Sequence, residues 1–245
     1  MCGIYGIIDY GKALSLQDRY SAMSTLAYDN MLRGTDSTGL ACLSEGMLPA
    51  IYKRPIPASR FYDVKRDIIR REHLARPMLL GHNRFATTGK VNYLNSHPFT
   101  CGNVTGVHNG VIHNHKRLFK MIRRKAKTQC DSEIVFALMD YANDGASQLL
   151  LLGEIMGSNT SAFYDRRYPD TVFFPVQDNP LYIAQVKKTL IFSSQAESIY
   201  MLCGITPFKS VSALPNGYLY AYNVKSGIMK HSALLPALDL FTRYV

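Results

Sequence analysis

Short β-prone runs dominate both ends of the chain, and helical patterns lie mainly between them. The first nine residues are apolar and β-prone, and after Gly157 short apolar runs recur between Pro and Gly turns. This order predicts an α+β domain with two sheets and with helices packed outside them.

Apolar periodicity gives the positions of the individual elements. Helices are expected over residues 17–32, 60–75 (a basic helix), 115–127 and 196–203, and another begins after a cap at Asp131 or Ser132. Strands are expected over residues 1–9, 40–43, 50–53, 78–85, 104–112, 161–164, 171–176, 181–186, 190–193 and 218–223.

Composition excludes several classes of protein. Of 245 residues, 47% are hydrophobic and 19% are charged, which is typical of a globular chain and not of a disordered one. No apolar run approaches the roughly 18 residues of a membrane helix, and no signal peptide is recognisable. We therefore expect one domain over residues 1–245, in a cytoplasmic protein without membrane contact.

Cysteine and histidine spacing gives no metal site. The five cysteines are widely spaced and form no CxxC pair, which argues against a disulfide framework and a thiolate zinc site. His113 and His115 could share a metal if both lay on one strand, but no carboxylate or thiol joins them at a familiar spacing. No metal and no other cofactor is expected.

The net charge of +10 is concentrated in two segments. Residues 53–76 hold eight basic and three acidic side chains, and residues 116–127 hold seven basic and none acidic. Such segments could contact nucleic acid, an anionic substrate or an acidic partner, or they could be solvated helix faces.

Cys2 is a candidate nucleophile because it directly follows Met1. If Met1 is removed, the α-amino group of Cys2 lies within reach of its own sulfur. That amine has a reference pKa of about 8, so it can act as the general base for the thiol. A small residue at this position by chance is the alternative interpretation.

Six ordered segments resemble those of the class II glutamine amidotransferases, which are N-terminal-nucleophile hydrolases. They are MCGIYGI at 1–7, LRGTDSTG at 32–39, GHNRFATTG at 81–89, NSHPF at 95–99, VHNGVIHN at 107–114 and CDSE at 130–133. Weaker similarities continue at 179–181, 193–197 and 214–217. Together they cover nearly the whole chain and are far more specific than any one of them.

The resemblance implies a four-layer αββα sandwich of the N-terminal-nucleophile hydrolase type, formed by a single glutamine amidotransferase type 2 domain. It assigns the nucleophile to Cys2 and the oxyanion donors to the Asn109 side chain and the Gly110 backbone N–H. One such donor is typically worth about 3 kcal/mol. Without the resemblance, Asn-Gly would indicate a tight hairpin turn.

The remaining site residues match the two charges of an α-amino acid. Arg84 can bind the substrate carboxylate through its bidentate fork, and Thr87 can add a hydroxyl. Asp131 can pair with the substrate ammonium. Taken alone, these three residues could instead form a salt bridge, a strand contact and a helix cap. The resemblance gives supporting roles to Arg33, Asp36 and His108.

The expected activity is hydrolysis of glutamine to glutamate and ammonia through a Cys2 thioester. Family members that build amino sugars, purines, asparagine or glutamate carry a further synthase domain, so we expect ammonia to pass to a separate acceptor protein. The positive charge suggests a nucleotide or nucleic-acid base as the acceptor. Alternatives are an N-terminal-nucleophile amidohydrolase with another substrate and a catalytically silent binding or regulatory module.

Overall fold

The computed structural model describes residues 1–63, 68–205 and 208–234, and its strands pair antiparallel throughout these ranges. One sheet has the strand order β11-β9-β10-β1-β4-β2-β3. Its strands are β1 (Gly3–Asp9), β2 (Ser37–Leu43), β3 (Ala50–Arg54), β4 (Met78–Arg84), β9 (Tyr182–Val186), β10 (Thr189–Ser193) and β11 (Ser212–Ala213).

The second sheet has the order β13-β12-β8-β7-β6-β5. Its strands are β5 (Phe99–Cys101), β6 (Val104–Ile112), β7 (Gly157–Asp165), β8 (Thr171–Val176), β12 (Tyr218–Asn223) and β13 (Ile228–Ala233).

Helices cover the outer face of each sheet. The first sheet carries α1 (Leu16–Asp29), α2 (Ala58–Phe61), α3 (Arg71–Leu74) and α7 (Ala196–Tyr200). The second carries α4 (His115–Met121), α5 (Glu133–Tyr141) and α6 (Gly145–Gly153). The predicted four-layer αββα architecture is therefore confirmed.

Strand β1 shows why the N-terminal run is continuously apolar. Ile4 and Ile8 point into the core between the two sheets, whereas Tyr5 and Ile7 point into the core beneath the helices. Because both faces of the strand are buried, no polar alternation appears in its sequence. The sandwich is thus held by one inter-sheet core and two outer cores.

Most predicted strands are confirmed, but the helix predictions need correction. The expected helix over 60–75 is wrong, because α2 ends at Phe61 and α3 begins at Arg71, and Tyr62, Asp63 and residues 68–70 are not helical; residues 64–67 lie outside the described residues. The helix over 115–127 ends early, since Arg123 takes a left-handed φ of 52°. Sequence reasoning missed α6, β5 and β13.

Within the described ranges, no helix is both long and apolar enough to cross a membrane.

Candidate active site

The antiparallel pairing of β1 with β4 brings Cys2 next to Arg84. Gly3 is paired with Asn83 in this register, so the residues before and after them are direct neighbours. Side chains alternate along a strand, and Ile4 points between the sheets, so Cys2 faces the same side. Cys2 therefore lies at the edge of the inter-sheet space.

Arg84 faces this space too. It lies two residues after His82, whose Nε2 donates a hydrogen bond to the backbone carbonyl of His108 in the second sheet (3.0 Å). Because residues two apart on a strand share a face, Arg84 also points toward the second sheet. Its side chain is almost fully buried.

Asn109 enters the same space from strand β6. Val107 packs in the inter-sheet core, so Asn109 lies on the same face, and it is completely buried. Neither its Nδ2 nor its Oδ1 has a hydrogen-bond partner among the described residues. A buried amide of this kind is costly unless a ligand engages it.

Gly110 could not be replaced by another residue without a backbone change. Its φ of 156° is rarely adopted by residues with a Cβ, and a Cβ there would lie 2.0 Å from the carbonyl oxygen of Ser158. The glycine thus permits the close approach of β6 and β7 beside Asn109.

The thiol of Cys2 contacts the backbone of Phe85. The Phe85 N–H donates to the sulfur at 3.4 Å, and the sulfur lies 3.5 Å from the Phe85 carbonyl oxygen. Burial raises the pKa of Cys2 to about 11, although the Phe85 N–H opposes this shift. Arg33 Nε donates to the carbonyl oxygen of Cys2 at 2.8 Å, and Met1 is 68% exposed.

The Arg84 guanidinium holds the loop that follows β4. Its two terminal nitrogens donate to the carbonyl oxygens of Thr88 and of Lys90, the latter at 3.2 Å. Within the described part of the chain, no carboxylate lies within ion-pair distance of Arg84. Thr87 is exposed on the same loop.

The segment before β2 supports this loop from the other side. Asp36 donates its backbone N–H to the Arg84 carbonyl (3.0 Å), and its carboxylate accepts from the Ala86 N–H (2.7 Å). Gly34 packs closely against the backbone of Arg84. A Cβ on residue 34 would lie 2.4 Å from the Arg84 carbonyl carbon. Arg84 is thereby fixed at its backbone as well as at its side chain.

Asp131 is buried beside the end of β6. Its Oδ2 accepts a hydrogen bond from the Ile112 N–H at 2.7 Å. The residue that caps α5 is Ser132, and it makes no side-chain capping bond, so the helix-cap alternative for Asp131 is wrong. Among the described residues, Asp131 has no cationic side chain within ion-pair distance.

His108 points away from the inter-sheet space. Its Nε2 donates to the carbonyl oxygen of Ser158 (3.3 Å), and its Nδ1 accepts from the Ser132 hydroxyl (2.7 Å). Burial lowers its pKa, although Asp131 opposes this shift. The neutral ring thus joins β6 to the start of α5, and it does not reach the face on which Cys2 lies.

Sequence reasoning missed several residues that complete the site. Gln129 accepts from the Lys90 N–H (3.1 Å) and from the side chain of Asn95 (3.2 Å), so it ties two loops together. The ring of His97 stacks on His82 at 3.8 Å, and neither of its nitrogens has a hydrogen-bond partner among the described residues. Asn95, His82 and His97 lie within the six segments that carry the resemblance, whereas Lys90 and Gln129 lie outside them. Periodicity gives no reason to single out any of these residues.

Lys53 corrects the interpretation of one basic segment. It is almost fully buried and donates to the carbonyl oxygens of Ser96 (2.8 Å) and Pro98 (3.3 Å). Burial lowers its pKa to about 8.

His113 and His115 do not lie on one strand and so do not form the metal-binding pair that their spacing could allow, since β6 ends at Ile112. In the described ranges, no cluster of His, Cys, Asp and Glu could hold a metal ion.

The sequence is similar to known glutamine amidotransferases. The model of the glutamine amidotransferase domain family matches residues 82–201. Glutamine–fructose-6-phosphate aminotransferase (isomerizing) of Helicobacter pylori is 28% identical over 202 residues, which are 79% of this chain and 32% of that protein. The enzyme of the same name from Chlamydia caviae is 26% identical over 100% of this chain and 39% of its own length. The chain spans about a third of the length of these curated relatives.

Solved structures share the fold. Glutamine phosphoribosylpyrophosphate amidotransferase of B. subtilis matches with a TM-score of 0.70 at 17% identity, over 96% of this chain and 49% of that one. A glutamine aminotransferase class-II domain protein from silicibacter pomeroyi matches with a TM-score of 0.57 at 16% identity, over 96% and 99%. The fold is thus the N-terminal-nucleophile sandwich of glutamine amidotransferases. The chain is thus similar to glutamine amidotransferase domains in sequence over residues 82–201 and in fold over nearly its whole length.

Proposed function

We propose that residues 1–245 form a single glutamine amidotransferase domain that hydrolyses glutamine to glutamate and ammonia through a thioester on Cys2. The observation that carries the proposal is the buried Asn109 amide. It has no hydrogen-bond partner among the described residues, and it faces the same inter-sheet space as Cys2 and Arg84.

The nucleophile needs a base because its thiol is protonated at neutral pH. While Met1 is attached, the nitrogen of Cys2 is an amide and the pKa of the thiol is about 11. Removal of the exposed Met1 gives an α-amine with a reference pKa of about 8. That amine takes the thiol proton as the sulfur attacks the side-chain amide carbon of glutamine.

The attack forms a tetrahedral intermediate with a negative oxygen. The Nδ2 of Asn109 and the N–H of Gly110 stabilise this oxygen. When the carbon–nitrogen bond breaks, the α-ammonium returns its proton to the departing nitrogen. Ammonia is released, and the glutamyl group remains bound to Cys2 as a γ-glutamyl thioester. Water then hydrolyses the thioester, which releases glutamate and regenerates the free thiol.

Two buried charges recognise the amino-acid end of the substrate. The Arg84 fork exchanges its contacts with loop carbonyls for the stronger bidentate pair with the α-carboxylate. Thr87, which is exposed on the same loop, adds its hydroxyl to the carboxylate. Asp131 accepts from the α-ammonium, while its bond to Ile112 fixes its orientation.

Ammonia then passes to an acceptor site on a synthase, either separate or fused. The net positive charge suggests a nucleotide or nucleic-acid base as the acceptor, but the placement of the basic residues gives this acceptor little support. The two basic segments pack in opposite outer layers, through Phe61 and Leu74 on one side and Phe119 on the other. Arg76 also donates to the carbonyl oxygens of Cys42 and Leu48. Salt-sensitive binding to DNA would support such an acceptor, and its absence would remove the reason to consider it.

Intact-mass spectrometry and a glutaminase assay test the proposal. Protein without Met1 should gain one adduct from a diazoketone analogue of glutamine and should release glutamate from glutamine. Cys2→Ser should lose both properties, whereas Cys203→Ser removes an exposed free thiol and should keep them. Turnover by Cys2→Ser equal to that of the native protein would contradict the proposal. A Met1-free protein without adduct and without turnover would favour the silent-module alternative.

A further inference from the structure

A cleft of about 850 Å³ adjoins the loop that Arg84 holds. Residues 88–90, residues 128–130 and helix α4 form its walls. Three lysines line it, namely Lys90 from the loop and Lys116 and Lys120 from α4, and all three are exposed. Its size falls in the range of small-molecule sites.

The charge of this cleft is not compensated. None of its described lining residues is acidic. In the described ranges, no carboxylate lies within ion-pair distance of the three lysine ammonium groups. In contrast, Arg124, farther along the basic segment, is paired with Asp140 at 2.8 Å. The three lysines therefore create a local positive potential that favours an anion.

We propose that this cleft binds a small phosphate ester. Lysine ammonium groups are point-charge partners for phosphate, and Phe119 and Ala126 give the cleft an apolar part for the rest of the ligand. A nucleic acid would need a continuous basic track. The other basic segment lies in the opposite layer, so the surface does not continue as such a track.

The ligand would also stabilise the loop above Cys2. The backbone of Lys90 is held from three sides, because its carbonyl oxygen accepts from Arg84 (3.2 Å) and Asn95 (2.9 Å), and its N–H donates to Gln129 (3.1 Å). An anion bound by the Lys90 ammonium and by α4 therefore joins this loop to the helix. Binding itself does not depend on glutamine being the substrate.

Calorimetric titration with inorganic pyrophosphate tests the site. The titration uses the Cys2→Ala protein, so that failure of the proposed glutaminase activity leaves the result unaffected. Lys116→Ser and Lys120→Ser should each weaken binding by about tenfold or more. Lys125→Ser is the matched control, since Lys125 is an exposed lysine of the same segment outside this cleft, and binding should stay within twofold of the parent. Hydrogen–deuterium exchange of peptides covering residues 85–90 should slow when pyrophosphate binds.

Any of three results would overturn the proposal. Absence of binding, or an equal loss in Lys125→Ser, would indicate only diffuse surface charge. Binding without slower exchange at residues 85–90 would contradict the link to the loop. A DNA oligonucleotide that binds through Lys116 and Lys120 more tightly than pyrophosphate would reassign the cleft to a macromolecule.

Discussion

Arg84 donates a hydrogen bond to the backbone carbonyl of Lys90 at 3.2 Å, so the proposed carboxylate-binding residue also holds the loop above the nucleophile. Its other terminal nitrogen donates to Thr88 on the same loop. The loop position and the proposed substrate binding therefore depend on one guanidinium, which is buried and has no carboxylate partner in the described part of the chain.

Arg84→Lys should lower kcat/KM for glutamine by roughly 10- to 100-fold. Lysine keeps the charge but not the bidentate geometry, and a hydrogen bond to a charged group is worth about 1.5–3 kcal/mol. Steady-state kinetics should show the loss mainly in KM. Arg124→Lys, which alters a surface pair with Asp140, should leave both constants unchanged. Normal kinetics in Arg84→Lys would remove Arg84 from substrate binding.

Asn109→Ala should lower kcat by about 10²–10³-fold without destabilising the fold. The side chain makes no hydrogen bond in the described structure, so its removal relieves an unsatisfied buried group. Thermal unfolding should therefore give an unchanged or higher Tm. Asn83→Ala is the contrast, because Asn83 contacts Tyr5 and the Ala27 carbonyl, and that variant should lose stability. A large fall in Tm for Asn109→Ala would indicate a structural role instead.

The layer order could be predicted because the sequences of the buried strands are runs of apolar residues. Strand β1 is buried on both faces and β6 on most of its length, and both runs were recognised with nearly correct ends. In contrast, β13 is mostly exposed and is paired with β12 alone in the described structure, so its sequence carries no apolar pattern. Sequence pattern therefore located the core strands and missed this edge strand.

Charge patterns overstate the basic surface where arginine and lysine bind backbone oxygens. Lys53 and Arg76 lie in a segment whose charge predicts a basic surface, yet Lys53 is buried and both side chains donate to main-chain carbonyls. The site itself depends on long-range register. Cys2 meets Arg84 only because β1 pairs with β4, and Asp131 reaches the Ile112 N–H only after the chain returns from α4. Neither contact could be derived from local spacing.

Gly110→Ala should destabilise the protein even though it adds only one methyl group. The new Cβ would lie 2.0 Å from the Ser158 carbonyl oxygen, at a φ of 156°. Backbone strain of this kind costs about 1–3 kcal/mol, and each kcal/mol lowers the Tm of a chain this size by about 2–4 °C. Gly145→Ala has no atom within 4 Å of its new Cβ and should keep the native Tm. Equal Tm values for both variants would contradict the close approach.

Alkylation of Cys2 should be slow at pH 8 while Met1 is attached. With a pKa of about 11, only about one thiol in a thousand is ionised at that pH. Because the thiolate is the reactive form, the rate should rise tenfold per pH unit until it levels off near pH 11. Protein without Met1 should react faster at pH 8, since its free amine can take the proton. Iodoacetamide labelling followed by mass spectrometry measures both rates, and Cys203 provides an exposed internal reference. Identical pH profiles for the two forms would show that the amine does not assist the thiol.

The Asp131→Asn substitution should lower kcat/KM for glutamine but not for amides that lack an α-ammonium group. Asparagine keeps an oxygen to accept from the Ile112 N–H, so the end of β6 should remain in place, but the negative charge is lost. For glutamine, kcat/KM should fall about 10- to 100-fold, given about 1.5–3 kcal/mol for a charge-assisted hydrogen bond. For 4-carbamoylbutanoate, which has the same amide and carboxylate but no amine, kcat/KM should change less than twofold. Asp140→Asn should affect neither substrate, because Asp140 pairs with Arg124 in the outer helical layer. An equal loss on both substrates would mean that Asp131 supports the site only structurally, and an N-terminal-nucleophile amidohydrolase with a different substrate would become the better description.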